Sequence, residues 1–136
     1  MSDRTLASRR SAELARFLVV GLLSALANTA IIVLLTELLR IDYLVSYALC
    51  FVVVTLSGFA MNRRWSFTVE VAVERKEVAR YCLVTVLATL FAMAVSRVLV
   101  AFGLPYGVAV FFSAGALAPF NFIAHRCFSF SLGWRE

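Results

Sequence analysis

Two short stretches of this chain combine arginine with aromatic residues in a way that could hold a phosphate. Asn62-Arg-Arg-Trp-Ser-Phe67 closes one long apolar run, and His125-Arg-Cys-Phe-Ser-Phe130 closes another 63 residues later. At that offset Arg126 falls on Arg63, Phe128 on Trp65, Ser129 on Ser66, Phe130 on Phe67 and His125 on Asn62. Phe122 likewise falls on Phe59. A guanidinium can bind phosphate through two parallel N–H···O bonds while aromatic faces take an isoprenoid or acyl stem. The chemistry expected of Arg63, Arg64 and Arg126, with Trp65, Phe67, Phe128 and Phe130 as lipid-stem or interface rings, is therefore capture of a lipid phosphate. The plainer reading makes the arginines positive-inside anchors and the rings a membrane-interface belt. The duplication favours the first, because a topogenic charge need not keep its aromatic neighbours in register.

The elements that must carry these clamps are membrane helices. The chain has 136 residues, 62% of them hydrophobic, with a mean hydropathy of +0.92. A soluble domain of this size cannot hide so much apolar surface, so the solvent must be lipid. Four apolar runs, about residues 17–39, 44–61, 81–102 and 107–124, each approach the ~20 residues an α-helix needs to cross a bilayer. The expected fold is an all-α integral membrane protein with four transmembrane helices. These form two parallel helical-hairpin repeats within one domain, 17–131, after a basic segment, 1–16. That segment reads either as a helix resting on the inner leaflet or as a frayed terminus. A signal peptide is the competing reading of the first run, with Arg9 and Arg10 before it and Ala25-Leu26-Ala27 as a cleavage site. The run continues from Ala30 to Leu35, which is too long for such a segment.

Charge placement orients the helices. Of the 13 Lys and Arg, eleven lie on one side if four helices cross, Arg40 lies in an opposite loop, and Arg97 lies within a helix. By the positive-inside rule both termini and the loop 68–80 are cytoplasmic, in a multi-pass protein of the cell (inner) membrane. Opposite charges at i,i+3 and i,i+4 in that loop suggest a short solvated helix. The net charge of +5 reflects this bias and gives no sign of nucleic acid, since no stacking platform or reading helix accompanies it. Cys50, Cys82 and Cys127 show no metal spacing and read as packing residues.

A few polar groups lie within the apolar runs. Arg97, about 17 residues into the third run, would cost roughly 2.5–3.5 kcal/mol near mid-bilayer. It either binds the lipid phosphate along a polar path or snorkels to the outer headgroups, about 9 Å away at 1.5 Å per residue. Glu37 sits at similar depth and could pair with it. Asn28, mid-way along the first helix, and Asn121, two residues after Pro119, either bond between helices or line a polar path. Asn62 and His125, at matching positions, suggest hydrogen bonding in place of a metal or proton relay. No nucleophile–base pair, carboxylate dyad, phosphate-binding loop or metal cluster is present, so neither an enzyme nor a cofactor is expected.

Four stretches together resemble the GtrA-like family. They are Arg16-Phe17-Leu-Val-Val-Gly21, Phe59-Ala-Met-Asn-Arg-Arg-Trp-Ser-Phe67, Arg80-Tyr81, and Asn121-Phe-Ile-Ala-His-Arg-Cys-Phe-Ser-Phe130. The resemblance covers about residues 14–131. It implies a small four-helix membrane protein of cell-surface polysaccharide synthesis. Such a protein would be a flippase moving a polyprenyl-phosphate-linked monosaccharide from the cytoplasmic to the outer leaflet. The other reading it implies is a membrane anchor for a glycosyltransferase. The chain departs from the family at His125, where Asn or Lys would be unsurprising. Arg97, Asn28 and Asn121 would supply a polar path, and four helices enclose so little space that a homodimer is the expected working unit. A small multidrug exporter would want an acidic residue deep in the first helix, but Glu37 is near its end and Asn28 is neutral.

Overall fold

A computed structural model of the chain describes residues 3–132. Among these residues all regular structure is helical. Helix α1 spans Asp3–Val33, α2 Tyr43–Met61, α3 Arg75–Ala101 and α4 Tyr106–Ala124. A one-turn π-type widening follows α1 at Leu34–Leu38, α2 at Asn62–Ser66 and α4 at His125–Ser129. The chain divides between Glu70 and Val71 into two compact units, each a helical hairpin. In the first, α1 packs on α2; in the second, α3 packs on α4. The duplicated pattern in the sequence is thus a duplicated fold unit.

Two helices begin earlier than the apolar runs. No break separates the basic segment 1–16 from the first run, because α1 carries it as a direct extension from Asp3. The charged stretch before Tyr81 is likewise the start of α3, which begins at Arg75. Glu77 in its first turn sits well against the helix dipole. Three helical stretches, Arg4–Leu38, Arg75–Ala101 and Val108–Ser129, are long and apolar enough to cross a membrane. Helix α2 has 19 residues and no charge, a rise of about 28 Å at 1.5 Å per residue.

What lines the outside of these hairpins fits lipid. Leu22, Leu26, Leu38, Leu90, Phe111, Phe112 and Phe120 are all exposed. Four hydroxyls within the helices find acceptors on their own backbone, as suits a hydrocarbon surrounding. Thr29 donates to the Ala25 carbonyl at 3.1 Å, Thr85 to Tyr81 at 2.9 Å, Thr89 to Thr85 at 2.8 Å and Ser113 to Ala109 at 2.7 Å.

The buried seam of each hairpin is made of small residues. Ser46 and Cys50 on α2, and Ala109 and Ser113 on α4, are all inaccessible and occupy equivalent positions. Small side chains four residues apart allow the close helix approach that substitutes for a hydrophobic driving force in lipid.

The turns at the opposite end from the clamps differ between the repeats. In the second unit the turn after α3 passes through Gly103 at φ +94°, with the Leu104 amide reaching back to the Leu99 carbonyl at 3.2 Å. Glycine takes this left-handed position without a Cβ clash. In the first unit Arg40 occupies the left-handed region at φ +53°. Asp42 then caps α2, its Oδ1 accepting from the Val45 amide at 3.3 Å.

A duplicated clamp as the candidate functional site

Each clamp is built on a helix end that widens by one residue. After α2 the Phe67 amide donates to the Asn62 carbonyl at 2.8 Å, and the Val69 amide to the Arg63 carbonyl at 2.8 Å. After α4 the Phe130 amide donates to His125 at 2.9 Å, and the Leu132 amide to Arg126 at 2.9 Å. The reversal is completed by a left-handed residue in both, Thr68 at φ +49° and Ser131 at φ +52°. π-type turns are uncommon and concentrate at functional sites. The same one recurs at both copies of the motif, and a third closes α1 at Leu34–Leu38 without the arginine–aromatic set.

Side chains lock the widened turn. Ser66 Oγ donates to Asn62 Oδ1 at 2.8 Å, and both residues are buried. In the second copy Ser129 Oγ lies 3.0 Å from His125 Nδ1, again buried. The ring nitrogen of His125 therefore stands where the Asn62 amide oxygen does, each bonded to the serine four residues on. His125 also stacks on Tyr81, with centroids 4.2 Å apart and planes at 27°. A residue of the entering helix braces each turn. The Phe17 and Phe67 rings meet at 6.0 Å and 49°, and Tyr81 and Phe130 at 5.8 Å and 52°.

The predicted phosphate-binding residues fall into two groups. Arg63 is 7% exposed and Arg126 2%, so both guanidinium groups are turned into the clamp. Arg63 Nη1 donates to the Val69 carbonyl at 3.1 Å, tying the helix end to the strand of chain that leaves it. Arg64 is exposed. The rings divide in the same way: Phe67 and Phe130 are buried, while Trp65 and Phe128 are 45% and 49% exposed. Each copy thus has an inner set (Arg63, Phe67; Arg126, Phe130) that holds the turn. Each also has an outer ring available to a ligand.

The remaining predicted residues lie away from the clamps. Asn28 is half-buried on α1 facing α2, where Cys50 Sγ donates to its Oδ1 at 3.1 Å and lies 3.4 Å from its backbone carbonyl. It links the two helices of the first hairpin. Asn121 is half-buried on α4, and its carbonyl accepts from the His125 amide. Glu37 is exposed in the widened turn after α1, in the first unit. Arg97 is exposed on α3, in the second. Its neighbour Ser96 is buried, with no hydrogen-bond partner for Oγ. Among the described residues no group of three or more His, Cys, Asp or Glu is arranged to hold a metal.

Two residues not among the expected phosphate-binding set belong to the site. Arg16 Nη1 donates to the Trp65 carbonyl at 3.3 Å. Arg80 Nη1 donates to Ser131 Oγ at 2.8 Å, with its guanidinium carbon 5.8 Å from the centre of the Phe128 ring. Glu13 is buried on α1, its carboxylate 3.8 Å from Arg9 Nε. Arg16-Phe17 and Arg80-Tyr81 match at an offset of 64. That match was the available signal for the two arginines; nothing in the sequence marked Glu13 as buried.

Comparison with known proteins agrees with this architecture. No curated protein matches the chain. A family model described as GtrA/DPMS, transmembrane domain, matches residues 16–130, a span that starts at Arg16 of the first clamp and stops at Phe130 of the second. The chain is a multi-pass membrane protein and belongs to the GtrA/DPMS transmembrane-domain family.

Proposed function

We propose that this protein is a flippase for a polyprenyl-phosphate-linked monosaccharide, moving it from the cytoplasmic to the outer leaflet for cell-surface glycan synthesis. The observation that carries the reading is the clamp built twice on one plan, each copy setting arginine and an outward aromatic ring at a helix end. Family membership agrees with a role in handling lipid-linked sugars. In this reading the clamps and both termini face the cytoplasm of a cell that keeps the protein in its inner membrane. Arg64 and Trp65 receive the phosphate and its apolar stem, while the buried Arg63 and Arg126 set the geometry of the clamps and contribute positive potential. Arg97, exposed on α3, meets the phosphate further along the path, and Asn28 and Asn121 offer polar contacts to the sugar.

Energy coupling need not involve a nucleotide. A polyprenyl phosphosugar carries one negative charge, and an inside-negative potential of about 100 mV favours its outward movement by about 2.3 kcal/mol. The work is done by shielding sugar and phosphate from hydrocarbon. A homodimer supplies the enclosed space that four helices lack.

A second reading has one observation in its favour. Inward-turned Arg63 and Arg126 suit a scaffold that only anchors a glycosyltransferase. Liposomes containing the purified protein and a lipid-linked sugar separate the two. A flippase gives wild-type transport that falls strongly in Arg64→Gln and Arg97→Gln. An anchor gives none in any variant.

A further inference from the structure

We propose that Arg16 and Arg80 are a twin pair of phosphate-receiving residues, one on the entering helix of each hairpin. Each forms a lip at its clamp, Arg16 bonded to the backbone of Trp65 and Arg80 beside the Phe128 ring. The ligand is a phosphate carried on an apolar chain. The inference deepens the transport reading and rests on it for the identity of that chain.

In an unbroken α-helix the Trp65 carbonyl would accept from the residue-69 amide. Here the Val69 amide goes to Arg63 instead, which frees the Trp65 carbonyl. Arg16 takes it, and is placed to do so because its neighbour Phe17 seats on Phe67. In the second hairpin Tyr81 seats on Phe130 in the same way, and Arg80 reaches the closing turn through Ser131. Ser131 is the left-handed residue of that turn, equivalent to Thr68.

Both arginines are therefore held at their clamps while remaining open to the surroundings. Arg16 is exposed and Arg80 partly so, in contrast to the buried Arg63 and Arg126. The hydrogen bond described for each engages one Nη, and a guanidinium has five N–H donors in a planar fork. Restraint at one corner lowers the side-chain entropy lost when a ligand binds. Arg80 sits within cation–π range of the half-exposed Phe128 ring, and Arg16 is bonded to the backbone of half-exposed Trp65. A fixed fork beside an apolar ring matches a phosphate on an isoprenoid or acyl stem.

The test uses the full chain in nanodiscs, with Arg16→Gln, Arg80→Gln and the double variant. Gln keeps a polar N–H donor but has no charge. Far-UV circular dichroism and thermal melting report folding. Polyprenyl monophosphate is titrated in, with polyprenol, inorganic phosphate and phosphatidylglycerol as separate competitors. The expected result is a single-variant affinity weaker by about tenfold or more with melting unchanged, as for loss of one charge-assisted hydrogen bond. Neither polyprenol nor inorganic phosphate alone should displace the ligand. Wild-type affinity in the double variant would overturn the proposal. Equal displacement by phosphatidylglycerol would overturn the assignment to a polyprenyl chain and leave a general lipid contact. Transport measured in parallel keeps the two ideas apart. Normal transport with the double variant overturns the role of these arginines and not the flippase. Intact binding without wild-type transport does the reverse.

Discussion

His125 is the position where the two clamps differ most in chemistry and least in geometry, so it tests whether they share one plan. Replacing it with Ala removes the partner of Ser129, whose hydroxyl is in a residue only 1% exposed. An unsatisfied buried hydroxyl costs about 1–3 kcal/mol. The change also removes the ring stacked on Tyr81 at 4.2 Å, a contact of about 0.5–1.5 kcal/mol. His125→Ala should therefore destabilise the protein by about 2–4 kcal/mol. His125→Asn should cost much less. Asn62 already makes the equivalent bond to Ser66 at 2.8 Å in the first clamp, so only the stacking is lost, about 0.5–1.5 kcal/mol. The assay is reversible unfolding in mixed detergent micelles at one fixed pH, followed by far-UV circular dichroism. If Asn is as damaging as Ala, the repeat is a likeness of letters and the shared turn does not define the clamp. An Ala variant of wild-type stability would refute the hydrogen-bond account as well.

Other outcomes follow from particular positions. Thr68→Gly and Ser131→Gly should each stabilise by about 0.5–1 kcal/mol, since a left-handed non-glycine residue costs about 1–2 kcal/mol and glycine gives part of this back in unfolded-chain entropy; the same unfolding assay reads it. Cys50→Leu should destabilise by about 1–3 kcal/mol through overpacking of the α1–α2 seam, and Cys50→Ala by less, in the same assay. In right-side-out vesicles an impermeant thiol reagent should miss exposed Cys127 and react with Asp42→Cys, as clamps on the inner side require. Arg97→Gln should leave a folded protein that binds polyprenyl phosphate but does not transport it. Full transport by the double variant Glu37→Gln with Arg97→Gln would instead mark the two as a structural ion pair.

The hairpins and clamps were legible because their signals are local. A run of about 20 apolar residues specifies a membrane helix by length alone, and the offset of 63 between Arg63 and Arg126 reports duplication without reference to packing. Burial of those arginines was not legible. Charge composition places arginine at a surface, and only the widened turn, which draws Arg63 onto the Val69 carbonyl, turns it inward. Nor does sequence periodicity announce a π-type turn. The two clamp turns lie beyond the α-helical ladder, and their left-handed residues are Thr68 and Ser131 where glycine would have given warning. Helix starts at Asp3 and Arg75 were hidden for a related reason: solvated charged turns extend the membrane helices, and hydropathy registers only the apolar part. The matched Arg16-Phe17 and Arg80-Tyr81 pairs mark the helix starts in sequence, but only the seating of Phe17 on Phe67 and Tyr81 on Phe130 brings the two arginines to the clamps.

The central claim is movement of a lipid-linked sugar across the bilayer, and reconstitution measures it directly. Purified protein in liposomes is loaded with a polyprenyl phosphosugar confined to the inner leaflet, and an impermeant enzyme that oxidises the sugar reports its arrival outside. Outward transfer should exceed that of protein-free vesicles and rise when a potassium gradient with valinomycin sets the interior negative. Transfer equal to protein-free vesicles at every potential, from protein that is folded and inserted, would contradict the flippase and leave the anchor.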